Sequence, residues 1–125
     1  MTATMPCTEA VTCHFEGEGT VSGVKVHIEA DASAIHAEVT VLAEADAFPN
    51  LPDDSWYDPV LQDAQGNELR ARQCGATDPR TLKSSFDWTG ILPDQLSLTI
   101  RLSSESNPPT VLAGPIPLTM TDRPD

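Results

Sequence analysis

Lysine is nearly absent from this chain: Lys25 and Lys83 are the two among 125 residues. With 19 acidic against 7 basic residues the formal net charge is −12. Such a field disfavours nucleic acid and anionic membrane surfaces as partners, because both are bound by Lys and Arg that displace counterions. It favours cations or basic partners and keeps the chain in solution. Long apolar runs are missing as well. No stretch approaches the roughly 20 residues a membrane-spanning helix needs, so no membrane insertion is expected. The opening MTATMPCTEAVTCHFEGEG has neither a basic n-region nor an apolar h-region, so it does not read as a signal peptide. The expectation is then a cytoplasmic protein or a domain excised from a longer extracellular one.

The signatures of several chemistries are missing too. No segment sustains a 3.6-residue apolar period, and there is no internal repeat and no low-complexity tract. Gly17 and Gly19 of EGEG do not follow an apolar strand and open a helix, so they form no phosphate loop. Neither G-x-S-x-G nor H-E-x-x-H occurs. Cys74 with His27 or His36 is the one nucleophile pair that can be imagined, and it lacks an orienting third group. The expectation is a non-catalytic protein with no cofactor.

Cysteines number three, Cys7, Cys13 and Cys74, an odd count that argues against a disulfide framework but allows one bridge. Cys13–Cys74 would tie the N-terminal segment to the middle of the chain, and Cys7–Cys13 would close a small loop. With His14 the three form a Cys7/Cys13/His14/Cys74 set that zinc chemistry allows. The five-residue gap between Cys7 and Cys13 is not the short C-x₂₋₄-C knuckle of most zinc sites.

What the chain does have is period two. Val24, Val26, Ile28 and Ala30 alternate with Lys25, His27, Glu29 and Asp31. After a turn, Ile35, Ala37, Val39 and Val41 alternate with His36, Glu38 and Thr40. Closing that hairpin between Ala30 and Ile35 sets Glu29 opposite His36 and His27 opposite Glu38, a histidine–carboxylate face open to pH or metal readings and equally to plain charge pairing. Ala45–Ser55, with Pro49, Pro52 and acidic Asp46, Asp53 and Asp54, is a connector that leads into Trp56 and Tyr57. The clearest local structure is SWYDPVLQDAQGNELRARQCG, residues 55–75, two strands joined at Ala64-Gln65-Gly66. Gly66 occupies the left-handed place of a three-residue hairpin loop. Leu61 then pairs with Leu69, Pro59 with Ala71 and Asp58 with Arg72, and Cys74 falls opposite Trp56. The loop offers Asp63, Gln65, Asn67 and Glu68 as oxygen donors, yet Cys74 stands where an EF-hand needs its bidentate Glu. Gly75–Arg80 reads as a turn, Leu82–Trp88 as a strand, 89–95 as a turn whose Ile91 and Leu92 plug the core, and Leu96–Leu102 as a strand. Val111–Met120, with Pro115 and Pro117, belongs at an edge or carries a break.

Seven or eight short strands without helices describe an all-β sandwich, with residues 1–18 a loose N-terminal arm, 19–121 the domain and 122–125 a frayed tail. The GVKVHIEA strand, the LQDAQGNEL hairpin and the LPDQLSLTIRL strand followed by PIPL resemble immunoglobulin-like accessory domains of bacterial surface and envelope-associated proteins. The Cys…Trp…Cys spacing of antibody domains and a tyrosine corner are both missing. The resemblance implies an immunoglobulin-like sandwich that acts as a spacer or binds a protein partner, and carries no family site residues with it. The residues expected to meet that partner are Phe48, Trp56 and Tyr57, clustered at one connector. The alternative is a small ligand- or metal-binding protein using the acidic loops or the Cys/His set. Oligomeric state is not encoded in any pattern of the chain.

Overall fold

In the computed structural model, which describes residues 13–33, 36–63, 66–87 and 96–121, the 63–67 hairpin closes as its chemistry demands. Gly66 has φ 88°, its N–H donates to the Asp63 carbonyl at 3.1 Å, and the Asp63 N–H donates to the Asn67 carbonyl at 3.1 Å. Strand β4 (Ser55–Asp63) therefore pairs with β5 (Glu68–Arg70) in the expected register, Leu61 opposite Leu69. Beyond Arg70 the expected long arm splits. Ala71 N–H still donates to Pro59 of β4, while Arg72 N–H donates to Ser85 of β7 (Thr81–Asp87). The chain has crossed to the opposite end of the sheet and continues there as β6 (Gln73–Asp78), paired with β7. The segment read as a turn from Gly75 is thus strand as far as Asp78. An Asx turn in which Asp78 Oδ1 accepts from the Arg80 N–H at 2.8 Å then leads into β7.

The N-terminal arm also departs from expectation. From Cys13 onward it is strand β1 (Cys13–Val21), joined to β2 (Val24–Ala32) by a two-residue turn at Ser22 (φ 52°) and Gly23 (φ 81°). Its period was hidden because two of its inward positions are glycine. Cys13, Phe15 and Val21 are buried, and between them Gly17 and Gly19 face β9 (Thr110–Met120). A Cβ on Gly17 would lie 2.5 Å from the Pro117 carbonyl oxygen, and one on Gly19 would lie 2.7 Å from Ile116 Cδ1. The glycines let two strands approach more closely than side chains would permit.

β2 pairs with β3 (His36–Ala43) four positions further along β3 than expected: Ile28 faces Val41, Ala30 faces Val39 and Ala32 faces Ala37. The even displacement keeps the same side chains inward but changes every charge pair, so His27 faces Leu42 and Glu29 faces Thr40. The shifted ladder buries Ala32 opposite Ala37 and closes with the Ser33 N–H on the His36 carbonyl at 2.8 Å. β8 (Leu96–Ser104) pairs with both β4 and β9. β9 is interior to the sheet and carries the break its prolines require. Its register against β8 shifts twice around Ile100, and its ladder with β1 pairs Phe15 with Met120 and Glu16 with Thr119.

The strands form one nine-stranded antiparallel order, β5-β4-β8-β9-β1-β2-β3-β7-β6, not the seven or eight expected, because β1 runs on through two glycines to Val21 and the arm after the 63–67 loop divides into β5 and β6. The all-β expectation holds. The sheet curls into a half-barrel so that one face encloses a single core of Phe15, Ile28, Leu61, Leu82, Phe86, Leu98 and Ile100. The two edge strands are consecutive in the chain, so the residues 71–72 crossing bridges the opening between the ends of the sheet. β4 approaches β6 across that opening. Trp88, Ile91 and Leu92, Ile35, and the tail at 122–125 lie outside the described residues.

Candidate functional site

The connector before β4 packs inward. Ala47 and Phe48 N–H groups both donate to the Pro79 carbonyl at 2.8 Å, and Phe48 is 1% exposed. Its ring meets Tyr57 edge to face at 5.6 Å, and the Tyr57 hydroxyl donates to the Pro49 carbonyl at 2.7 Å. Phe48 and Tyr57 are therefore core, and the expectation that they meet a partner at the surface is corrected. Strand alternation sends the neighbouring Trp56 outward, where it is 44% exposed. Of the three aromatic candidates, Trp56 is at the surface.

Trp56 borders a cleft of about 640 Å³ in the sheet opening, lined by Trp56–Asp58 of β4, Arg70–Arg72 of the crossing and Gln73–Cys74 of β6. A second trough of about 470 Å³ shares Gln73 and Cys74 and is lined from β3, β6 and β7. The expected Cys74–Trp56 neighbourhood is thus present, as two walls of one cleft.

Two of the chain's 7 basic residues, Arg70 and Arg72, line the cleft, and Arg101 meets one of its walls at Asp58. Asp58, on the outer face of β4 but buried, accepts on one oxygen, Oδ2, from Arg70 Nη2, Arg101 Nη2 and Ser103 Oγ, each at 3.0 Å. Arg72, expected opposite Asp58, instead donates to Asp87 at 2.8 Å because the chain crosses to the other end of the sheet just before it. The side chains of Arg70 and Arg72 are 66% and 69% exposed. Arg101 Nε is buried and has no hydrogen-bond partner. Arg70 and Arg72 line the cleft, while Arg101 lies outside its lining and holds Asp58 from β8.

Cys74 is a free thiol, and burial together with the nearby Asp58 carboxylate pushes its pKa up to about 12. It stays protonated at neutral pH, contrary to what a nucleophile or a metal ligand requires. Cys13 is disulfide-bonded, so the Cys13–Cys74 bridge is not formed. The zinc set is not assembled either: Cys13 is buried and engaged, His14 follows it on the opposite strand face, and Cys7 lies outside the described residues.

The histidine–carboxylate face exists with other partners. His14 pairs with Asp31 at 2.8 Å and Glu16 at 3.3 Å, His27 with Glu16 at 3.3 Å, and His36 with Asp87 at 2.6 Å and Glu38 at 3.2 Å. The hydrogen bond to Asp31 raises the His14 pKa, and those to Asp87 and Glu38 raise that of His36. Among the described residues no group of three His, Cys, Asp or Glu is arranged to hold a metal ion. The Asp63 turn carboxylate is occupied by Asn67, its oxygens accepting from the backbone N–H and from Nδ2 at 2.9 Å each.

Sequence reasoning found Trp56 and Cys74 but missed Arg70 and Arg101 as the partners of Asp58. Arg101 arrives from β8, and no local pattern links it to β4.

No protein-family model matches the chain, and no curated protein matches it. It is similar in structure to a DUF4426 family protein from Pseudomonas aeruginosa, with a TM-score of 0.46 and 11% identity over 83% of this chain and 94% of that one.

Proposed function

We propose that this chain is a non-catalytic β-sandwich module, immunoglobulin-like in kind, that binds a protein partner through the cleft at Trp56, Arg70 and Arg72. The observation that carries this reading is an exposed Trp set among arginines in a cleft of a strongly acidic protein. Trp and Arg are the residue types that dominate binding energy at protein interfaces, where a ring and a planar guanidinium bury large area at small entropic cost. The sandwich reading draws on β9, which leaves the β8 ladder and joins β1 at its far end, linking two halves of the sheet.

The test is affinity capture with cross-linking, using wild-type protein, Trp56→Ala, Arg72→Glu and Phe48→Ala. Trp56→Ala is expected to leave the melting transition within about 1 kcal/mol of wild type and to abolish capture of the partner. Phe48→Ala is expected to cost about 3–5 kcal/mol of stability, as removal of a buried aromatic does. A partner retained equally by wild type, Trp56→Ala and Arg72→Glu would overturn the cleft as the binding surface.

A further inference from the structure

A line of polar contacts runs from the second trough to the cleft. Glu38, which lines the trough, meets His36 Nε2 at 3.2 Å. His36 Nδ1 meets Asp87 Oδ1 at 2.6 Å, and Asp87 Oδ2 accepts from Arg72 Nη1 at 2.8 Å. Arg72 lines the cleft. Of these four groups the histidine is the one whose charge changes near neutral pH.

The fold fixes each member of the line. His36 and Asp87 stand opposite one another in the β3–β7 ladder. The Arg72 N–H donates to the Ser85 carbonyl at 2.7 Å, and period two puts Ser85 and Asp87 on one face of β7. Arg72 thus reaches Asp87 from a backbone anchored two residues away. The remaining groups around His36 come from β2 and β7. β2 brings Asp31, opposite Glu38 and bonded to His14, and Ser33, whose N–H and hydroxyl donate to the His36 carbonyl. β7 adds Ser85, opposite Glu38.

Asp87 therefore serves two cationic groups, one through each oxygen. It stays ionised well into acid, because His36 and Arg72 both hold its charged form. With His36 neutral, the carboxylate is left to Arg72. A proton on His36 puts a second positive charge on the same carboxylate, and the two cations repel across it. Arg72 is then held less firmly, and the rim of the cleft becomes less negative.

Resting on the reading of this cleft as a partner site, we infer that His36 is a proton-operated switch on it: protonated, it shares Asp87 and frees Arg72 for a carboxylate of an acidic partner. The acidic partner follows from charge complementarity. Arg70 and Arg72 line the cleft beside Trp56 with most of their side chains exposed, and a planar guanidinium suits a carboxylate. The protein as a whole carries a net charge of −12, so an acidic group is attracted only locally, within about 8 Å at physiological salt. The state of Arg72 then decides whether it is held.

The test follows the His36 ring and the Trp56 and Arg72 side-chain signals by NMR in the intact protein, at physiological salt. The probe is a hexaglutamate peptide, which stays ionised between pH 6 and pH 8 because its carboxyls titrate at about 4.3. It is expected to bind about two- to fivefold more tightly at pH 6 than at pH 8, the size of one surface charge pair. Because coupling is reciprocal, the bound probe is expected to raise the His36 midpoint. Arg72→Ala is expected to raise it too, by removing the competing cation. His36→Gln should abolish the pH step. His27→Gln should keep it, since His27 pairs with Glu16 and stands opposite Leu42, away from this line. A His36 midpoint that moves with neither Arg72→Ala nor the probe would overturn the switch. A pH step that survives His36→Gln would overturn it too, by assigning the step to overall charge. Binding that perturbs Trp56 and Arg72 equally at both pH values would overturn the switch and leave the cleft reading intact. Binding that spares both signals would overturn the cleft reading itself, and no binding at either pH would overturn the acidic partner.

Discussion

Asp58 is 5% exposed although strand alternation sends it to the outer face of β4. Three donors converge on its Oδ2, and Val60, the next outward residue, is buried between Arg70 and Thr99 of the flanking strands. A carboxylate withdrawn from water in this way is tolerable only while its partners remain. Asp58→Asn removes the charge that Arg101 is half-buried against, and is expected to cost about 2–4 kcal/mol by urea denaturation with an unchanged m-value. The exposed Asp46–Arg80 pair at 3.2 Å supplies the control, since Asp46→Asn should cost below about 1 kcal/mol. Comparable losses in the two variants would show that Asp58 is no more than a surface pair. The sequence places Asp58 on the right face but opposite the wrong arginine. Its true partners depend on β8 and on where the chain leaves the hairpin.

At the scale of the element, β1 shows how a strand escapes a reading based on apolar alternation. The inward face is Cys13, Phe15, Gly17, Gly19 and Val21, and the glycines sit where β9 presses closest. The prediction here is that Gly17→Ala destabilises the fold by about 1–3 kcal/mol, through forced displacement of the Pro117 carbonyl and of Leu118, whose Cδ2 would lie 2.8 Å from the new Cβ. Gly75→Ala, with open space around it, should leave stability within about 0.5 kcal/mol, and thermal melts of the two variants decide the comparison. The signals that could have located β1 are the Ser22-Gly23 turn before an already legible strand and the alternation of Cys13 and Phe15 with His14 and Glu16. By contrast, the 63–67 hairpin was legible in its register because loop length and a left-handed glycine determine it locally.

At the scale of the molecule, charge governs the response to pH. His14 and His36 have folded pKa values above 6.5, so their contribution to stability is fully present below 6.5 and is lost as pH rises through the folded values. Asp87 lies below 3.8 because His36 and Arg72 hold its charged form. Its contribution is present above 3.8 and is lost as pH falls through the depressed folded value. Moving from pH 8 to pH 6 is therefore expected to stabilise the protein, by protonating histidines that face carboxylates and by lowering the net negative charge. Melting temperature against pH checks this. A flat profile, or His14 and His36 ring signals titrating at or below 6.5, would contradict it. Asp31→Asn should return the His14 midpoint towards 6.5.

The chain by itself determined that this is an all-β protein of short strands, that Leu61 faces Leu69, and that an aromatic and a cysteine stand near each other past the connector. Those features follow from period two and from turn chemistry, both of which act within a few residues. Only the tertiary structure decided that Phe48 is core and Trp56 surface, and that Arg101 shares Asp58 with Arg70. It also decided that the chain changes sheet ends between Ala71 and Arg72, so that β4 and β6 wall one cleft. These depend on contacts between residues far apart in sequence and on how strongly the sheet curls, for which no local pattern carries a signal.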